Sequence, residues 1–347
     1  MTILLISYQR FSLDKSYGKW MRSSTYIYKG GLVSAEHKSK SFQRKFNTAT
    51  IIFLLINGTN TNNVSRIKGE DAVNTEQVMK LSLKLAGLKE VPEDSAIYVS
   101  GDNIRKILFG IDAGVPELLL AKQLCYDATI AHHPPGGTAA INFHQVFKRH
   151  IQQMVSAGVP LEEAEEVVAK KFEQLEVEAH TRNYAHAVDV ADLLKMPYMN
   201  IHTPLDEVGR KIMSEQINSR IKKNSKVQEV VSALKELGEF KNAVTEIKIR
   251  LGKPENPAGK VVVSHGAGTN GGYEIAKTYF KHGVGTVVYI HISAGDLEKL
   301  KADGAGNLIV TGHIASDSVG INPLIKELEK RDISVTRIGV IQAKGRI

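Results

Sequence analysis

Three short apolar segments of this chain each end in a histidine that is followed within four residues by a second histidine or an aspartate. They are 128–131 followed by His132 and His133, 198–201 followed by His202 and Asp206, and 307–311 followed by His313 and Asp317. In an open α/β sheet, ligands bind beyond the carboxyl ends of the strands. The three motifs therefore predict an α/β fold in which these side chains converge on one metal site.

The rest of the chain alternates between strand and helix patterns from about residue 70 onward. Asn74 and Gln77 form a capping-box pattern that starts the first helix, and Gly87 stops it. The predicted strands are 96–99, 128–131, 198–201, 243–250, 260–264, 285–292, 307–311 and 334–340. The predicted helices are 77–86, 115–126, 143–157, 160–195, 205–221, 226–237, 271–282, 295–302 and 316–331. This alternation predicts mixed sheets covered by helices.

The net charge of +8 is concentrated at the start of the chain. Residues 1–49 contain nine basic and two acidic residues, so the other 298 residues carry only +1. Generic nucleic-acid binding needs a basic surface, so it is disfavoured for the body of the protein. Residues 1–69 lack a sustained helix or strand period and are predicted to be a basic, disordered leader. An organelle-targeting segment is the alternative.

Cysteine content and hydropathy favour a cytoplasmic protein. The only cysteine, Cys125, cannot form an internal disulfide, and the pattern around it predicts a buried thiol on a helix in a reducing compartment. The most apolar run, Ile51–Ile56, is far too short to cross a bilayer.

The His132–His133 pair precedes Pro134, which disfavours a helix at this point. Neighbouring side chains of an extended chain point in opposite directions. The pair therefore suits two different metal ions, or one ion and a hydrogen-bond partner. An exposed histidine loop is the alternative reading.

The other two motifs lie where a strand leads into a helix. Asp206 follows Pro204 in the first helical turn, where its carboxylate could bridge two cations or simply stabilise the positive end of the helix. His313 and Asp317 have the i, i+4 spacing that places two side chains on one helix face. By itself, this spacing fits two interpretations. One is a metal-binding pair, and the other is a histidine that caps the helix beside a solvated acid. The occurrence of all three motifs in one chain favours metal binding.

Taken together, the motifs resemble those of the Nif-three-like family of dinuclear metal proteins, often labelled GTP cyclohydrolase I type 2 homologues. The resemblance covers roughly residues 70–347 and implies a two-lobed α/β architecture that assembles into a toroidal hexamer with sites facing an internal cavity. By this resemblance, two divalent ions would be held by His132, His133, Asp206, His313 and Asp317. The same resemblance makes His202 a supporting or occasional ligand.

The chain also departs from the family pattern. Asp317 stands where the family usually has glutamate, and the segment 289–293 replaces a stretch of the family's pattern, with His291 as a candidate substitute. A longer segment between the first two motifs predicts a helical insertion at about 143–195, which could be a lid or an oligomer contact. The predicted lobes are 70–225 together with 305–347, which holds the metals, and a smaller lobe at 226–304.

A glycine-rich run, 264–272, lies between a predicted strand and a predicted helix. It matches part of a dinucleotide-binding pattern, but an acidic residue to bind ribose is not evident at the expected distance. A tight turn and a seat for a phosphate group both remain open.

The expected chemistry is that of a metal-dependent hydrolase. Imidazole and carboxylate ligands suit Zn, Mn or Fe, and a bridging hydroxide between two ions would attack a small phosphorylated or nucleotide-like substrate. Asp206 would bridge the ions, and His202 or His291 would transfer protons. The alternative is a non-catalytic metal-binding or regulatory scaffold. The family's cyclohydrolase label does not by itself assign an activity.

Overall fold

The computed structural model describes residues 8–14, 19–28, 31–34 and 72–344. Contacts divide the chain into two units, Met1–Ser65 and Arg66–Ile347. In the first unit, strands β1 (Tyr8–Asp14), β2 (Lys19–Tyr28) and β3 (Gly31–Ser34) form an antiparallel sheet in that order. The sequence periodicity did not indicate these strands. The rest of the predicted leader lies outside the described residues.

The second unit alternates strands and helices, as the sequence predicts. Its strands are β4 (Ala96–Val99), β5 (Lys106–Gly110), β6 (Ala128–Ala131), β7 (Tyr198–Asn200), β8 (Lys248–Leu251), β9 (Lys260–Val263), β10 (Val284–Tyr289), β11 (Asn307–Val310) and β12 (Ser334–Ile338). Its helices are α1 (Thr75–Ala86), α2 (Val115–Gln123), α3 (Gly137–Ile141), α4 (Arg149–Ser156), α5 (Leu161–Ala179), α6 (His186–Leu194), α7 (Thr203–Arg220), α8 (Val227–Leu234), α9 (Gly238–Lys241), α10 (Gly272–Lys281), α11 (Ala294–Asp303) and α12 (His313–Glu329). A 3₁₀ helix, Asn142–Lys148, joins α3 to α4.

Two mixed sheets organise this unit. The first has the order β12-β5-β6-β7-β4, with β4 as an antiparallel edge strand beside β7. The second has the order β8-β11-β10-β9, with β8 antiparallel to β11. The neighbours among the other strands of both sheets run parallel. The prediction of mixed sheets covered by helices is confirmed.

Helices α7 and α12 contribute to the cores of both sheets. Leu205 of α7 and Leu324 of α12 pack with the first sheet, while Met213 of α7 and Val319 of α12 pack with the second. Each of these helices begins directly after a strand, α7 after β7 and α12 after β11. This packing fixes the start of both helices, where two of the three histidine–aspartate motifs lie.

The helical insertion packs on both sheets, since its last helix, α6, packs on the first sheet and the segment before it packs on the second. Phe147 and Met154 belong to the same buried cluster as Ile275 and Tyr279 of α10. Because these side chains are buried with those of α10, the insertion forms part of the core. The predicted continuous helix over 160–195 is instead two helices, α5 and α6.

Several sequence predictions need correction. Strand β5 was not predicted, and the strand predicted over 243–250 spans only Lys248–Leu251. Cys125 is exposed, because α2 ends at Gln123 and Cys125 lies in the following turn with φ of 54°. Strand β11 belongs to the second sheet and β12 to the first; the division into a lobe of 70–225 with 305–347 and a lobe of 226–304 stays a prediction.

No helix in the described part of the chain combines the length and the hydropathy that a membrane span requires.

Candidate metal centre

The three sequence motifs converge in the structure. His132 and His133 follow β6, His202 and Asp206 follow β7, and His313 and Asp317 begin α12 after β11. Three overlapping groups have potential ligand atoms that all lie within 4.8 Å of one another. These groups are His132, His133 and His202; His133, His313 and Asp317; and His132, Asp206 and Asp317. All five predicted metal ligands, together with His202, are therefore in one cluster.

His132 is fully buried and its ring orientation is fixed by the backbone. Its Nδ1 lies 3.0 Å from the carbonyl oxygen of Ile201, which can only accept a hydrogen bond. Nδ1 must therefore carry the proton. In the neutral ring, Nε2 then presents a lone pair, and it lies 3.1 Å from Oδ1 of Asp206. Two acceptors that face each other at this distance in a buried place favour a cation bound between them.

His133 and His313 approach the other aspartate. Nε2 of His133 lies 3.4 Å and Nε2 of His313 lies 3.2 Å from Oδ2 of Asp317. Nδ1 of His133 lies 2.7 Å from Oδ1 of Asp112, an exposed carboxylate that accepts a hydrogen bond from it. Burial lowers the pKa of His133, but the nearby carboxylates of Asp317 and Asp112 raise the pKa above the ordinary value. Burial lowers the pKa of His313.

His202 is held by a carboxylate that the sequence analysis did not identify. Its Nδ1 lies 2.6 Å from Oδ2 of the fully buried Asp94, which also accepts a hydrogen bond from the hydroxyl of Thr203. Its Nε2 points toward Oδ2 of Asp206 at 3.7 Å. A carboxylate behind a histidine is typical of metal sites, because it fixes the tautomer and makes the ring more basic.

His265 is a further histidine of the cluster that the sequence analysis did not identify. It follows β9, is buried, and places Nε2 3.5 Å from Oδ1 of Asp206. Asp206 is thus surrounded by histidines from the ends of three strands, β6, β7 and β9. The available signal was the position of His265 just after a strand, the same signal that identified the other motifs.

His291 borders the cluster. Its ring centroid lies 4.7 Å from that of His313, and the side-chain amide of Asn270 lies 3.1 Å from its Nδ1. Burial and the neighbouring His313 lower the pKa of His291 to about 4. His291 is therefore a neutral histidine at the open side of the cluster. The sequence named it as the candidate substitute for the stretch of the family pattern that segment 289–293 replaces.

Several polar atoms of the cluster make no hydrogen bond to one another and are placed as metal ligands would be. Several buried atoms lack a hydrogen-bond partner among the described residues, namely Nε2 of His132, Nε2 of His265, Oδ1 of Asp206 and both carboxylate oxygens of Asp317. Leaving such groups unpaired costs about 1–3 kcal/mol each. Burial opposes ionisation of Asp206, but the charges of His265 and His202 hold its pKa well below the ordinary value. The chemistry of this donor set suits divalent transition-metal ions.

A cavity opens beside the cluster at His133. Its volume is about 570 Å³, and its wall is largely apolar, including Ala113, Pro116 and Pro135. Asn183 and His186 from the helical insertion complete the wall. Of the cluster residues, His133 lines this cavity, together with Asp112, which contacts its Nδ1.

One solved structure among those compared with the chain supports its fold. The chain is similar to a NIF3 superfamily protein from Sphaerobacter thermophilus, with 45% identity and a TM-score of 0.76 over 78% of this chain and 99% of that protein. It is also similar to reduced HcgD from Methanocaldococcus jannaschii, with 13% identity and a TM-score of 0.49 over 77% of this chain and 98% of that one. A Bacillus cereus protein related to NIF3 matches at 11% identity, with a TM-score of 0.43 over 76% and 96% of the two chains.

None of the protein-family models and none of the curated proteins compared with the chain matches it. The fold and the site define an α/β protein with a buried histidine–aspartate cluster that could hold metal. Given the similarity to the Sphaerobacter thermophilus structure, the chain belongs to the NIF3 superfamily. The resemblance drawn from the three sequence motifs is confirmed.

Proposed function

We propose that this protein is a metal-dependent hydrolase with two divalent ions in the histidine–aspartate cluster. The observation that carries the proposal is the set of buried, unpartnered nitrogen and oxygen atoms around Asp206 and Asp317. One ion would be held by His132, Asp206 and His265, and the other by His133, His313 and Asp317. Zn, Mn and Fe are the metals that this ligand set favours.

Bound metal ions would polarise the substrate as Lewis acids. They would also lower the pKa of a bound water molecule to near neutrality. The chain's own residues would hold the ions and transfer protons. Asp317 lies within 4 Å of His132, His133 and His313, so it would be the carboxylate that both ions share. Asp206, the bridging residue expected from the sequence, contacts His132, His202 and His265 and would hold the first ion. His202, with Asp94 behind it, can hold a proton at Nε2, and His291 can exchange a proton with a molecule at the open side.

The substrate would be small, because the cavity beside His133 holds about 570 Å³. We propose a phosphorylated or nucleotide-like compound whose anionic group faces the metals and whose apolar part lies against Pro116 and Pro135. The wall itself carries the carboxylates of Asp112 and Glu117, so the attraction for an anion would come from the metals.

The experiment is a hydrolysis screen of metal-loaded protein with phosphomonoesters, phosphodiesters, nucleotides and cyclic amides. Hydrolysis should depend on added Zn, Mn or Fe and should fall at least about a hundredfold in His291→Ala, while metal content stays unchanged. His180→Ala, in the loop after α5, is the matched control. Full metal occupancy with no hydrolysis of any substrate class would instead support a non-catalytic metal-binding scaffold.

We also propose a hexameric toroid in the cytoplasm, as the sequence resemblance and the single cysteine suggest. Sedimentation equilibrium of the metal-loaded protein should give six times the chain mass of 38.1 kDa. Fluorescence microscopy of a tagged full-length chain tests the location. A monomer, or a tagged protein confined to an organelle, would contradict these two assignments.

A further inference from the structure

A second cleft lies between α4, α7 and the edge strand β9. Its volume is about 360 Å³, and one wall is formed by Val261, Val262 and Val263 of β9. Strand β9 is last in the order of its sheet, so its outer edge faces this cleft. The cleft is large enough for a small metabolite, and the proposed hydrolytic mechanism makes no use of it.

The cleft carries uncompensated positive charge. Arg149, Arg210 and Lys260 line it together with one carboxylate, Glu207. Arg210 uses both oxygens of that carboxylate, at 2.7 and 2.8 Å. Lys260 has no carboxylate within 4 Å among the described residues, and its Nζ donates only to the carbonyl of Ala157 at 2.8 Å. Arg149 also contacts Glu207, through Nη2 at 3.4 Å. Three cationic side chains therefore share one carboxylate, and the cleft keeps two positive charges in excess, with Lys260 the cation free of any carboxylate among the described residues.

Uncharged donors complete the lining. The side chains of Gln152, Ser214 and Asn218 face the same cleft. Oε1 of Gln153 is buried there without a partner and can accept a hydrogen bond from a hydroxyl or amide group. The combination suits a molecule with one phosphate group and a neutral body bearing hydroxyls.

The cleft also contacts the backbone that carries the metal centre. Arg149 donates through Nε to the carbonyl of Gly266 at 2.8 Å, and Gln153 donates to the carbonyl of His265 at 2.7 Å. The side chain of His265 lies beside Asp206, and Glu207 is the next residue along α7. A ligand that draws Arg149 toward itself would change the support of the loop that holds His265.

We propose that this cleft binds a small phosphate monoester and that its occupancy changes the metal affinity of the histidine–aspartate cluster. The site is distinct from the cavity beside His133 and does not depend on hydrolysis. Coupling of this kind is reciprocal, so metal would change the ligand's affinity by the same factor.

The probe is ribose 5-phosphate, with ribose as its uncharged counterpart, measured by calorimetry on the full chain with and without EDTA. Ribose 5-phosphate should bind in both conditions and ribose in neither. Lys260→Glu should weaken binding at least about tenfold, because it replaces a charge-assisted contact with repulsion. Lys301→Glu, an exposed lysine on α11, should leave the affinity unchanged, and circular dichroism checks that both variants fold.

The second measurement is Mn²⁺ affinity by electron paramagnetic resonance with and without saturating ribose 5-phosphate. At a concentration that saturates the wild type, we expect a change of at least about threefold in the wild type and in Lys301→Glu, and a smaller change in Lys260→Glu. The proposal would be overturned by equal binding in the two variants or by binding that EDTA abolishes, since the ligand would then occupy the metal centre. Unchanged Mn²⁺ affinity in the wild type would overturn the coupling.

Discussion

Gly320 of α12 lies directly against the backbone of Leu205 in α7. A side chain at Gly320 would overlap the carbonyl oxygen of Leu205, and a Cβ at Gly209 would lie 3.3 Å from the amide nitrogen of Gly320. The two helices therefore cross with their backbones in contact. Because Asp206 lies one residue after Leu205 and Asp317 three residues before Gly320, this crossing brings the two carboxylates to the same place.

Gly320→Ala should separate the two helices and weaken the metal centre. Overpacking at a buried backbone contact costs about 1–3 kcal/mol, so we expect that loss in the free energy of unfolding. Metal affinity should fall along with it, as measured by calorimetry. Gly295→Ala is the matched control, because a Cβ there meets no atom within 4 Å, and alanine in a helix is favourable by about 0.5–1 kcal/mol. Equal effects of the two substitutions would contradict the role of the crossing.

Asp94→Asn should change the protonation of His202. Burial lowers the pKa of His202, but the charges of Asp206 and Asp94 raise it to about 9 in the metal-free protein. Removing the Asp94 charge should lower this pKa, as observed by nuclear magnetic resonance titration. Metal affinity should fall about 10- to 100-fold, because the carboxylate orients the ring.

Asp192→Asn is the control for this substitution. Asp192 is exposed and pairs with Lys195 on the surface, so its loss should change neither quantity. A pKa of His202 that stays near 9 in Asp94→Asn would show that Asp94 does not support the ring.

His150 should make the protein less stable in mild acid. It is fully buried, its Nε2 donates to the carbonyl of Thr269 at 2.8 Å, and burial lowers its pKa to about 4. In the unfolded chain the histidine takes up a proton near pH 6.5, whereas in the folded protein it does so only near pH 4. Stability is therefore lost as the pH falls from 6.5 to 4, by about 2–3 kcal/mol for this residue.

Denaturant unfolding of the metal-free protein at pH 7.5 and pH 4.5 tests this prediction. In His150→Asn the difference between the two pH values should be smaller by about 2–3 kcal/mol, because asparagine does not titrate. His186→Asn, an exposed histidine at the start of α6, is the control and should keep the wild-type difference. Identical pH dependence in all three proteins would rule out a buried neutral His150.

Cys125 is strained as well as exposed. Its φ of 54° lies in the left-handed region, which costs an ordinary residue about 1–2 kcal/mol and glycine little. Cys125→Gly should therefore be about 1 kcal/mol more stable than Cys125→Ala, as measured by thermal unfolding. In the wild type the thiol should react with a thiol reagent without unfolding. Greater stability of the alanine variant would show that the turn has a different conformation.

The strand-end motifs were predictable because each combines a local signal, an apolar strand, with histidine and aspartate a few residues away. His265 lacked such a companion in the sequence, and Asp94 lies 108 residues from the histidine that it supports. Those contacts arise only from the packing of two sheets around α7 and α12. Strand β5, like β6, is buried along almost its whole length, which removes the alternation that identifies a strand. No histidine motif follows β5 to mark its end, as His132 and His133 do for β6.

The central claim is that the histidine–aspartate cluster holds two divalent ions. Elemental analysis of purified wild-type protein, Asp206→Asn and Asp192→Asn after equilibrium dialysis against Zn²⁺ or Mn²⁺ tests it most directly. We predict two ions per chain in the wild type and in Asp192→Asn, and a loss of at least one ion in Asp206→Asn. One ion or none per wild-type chain, or an unchanged count in Asp206→Asn, would contradict the account.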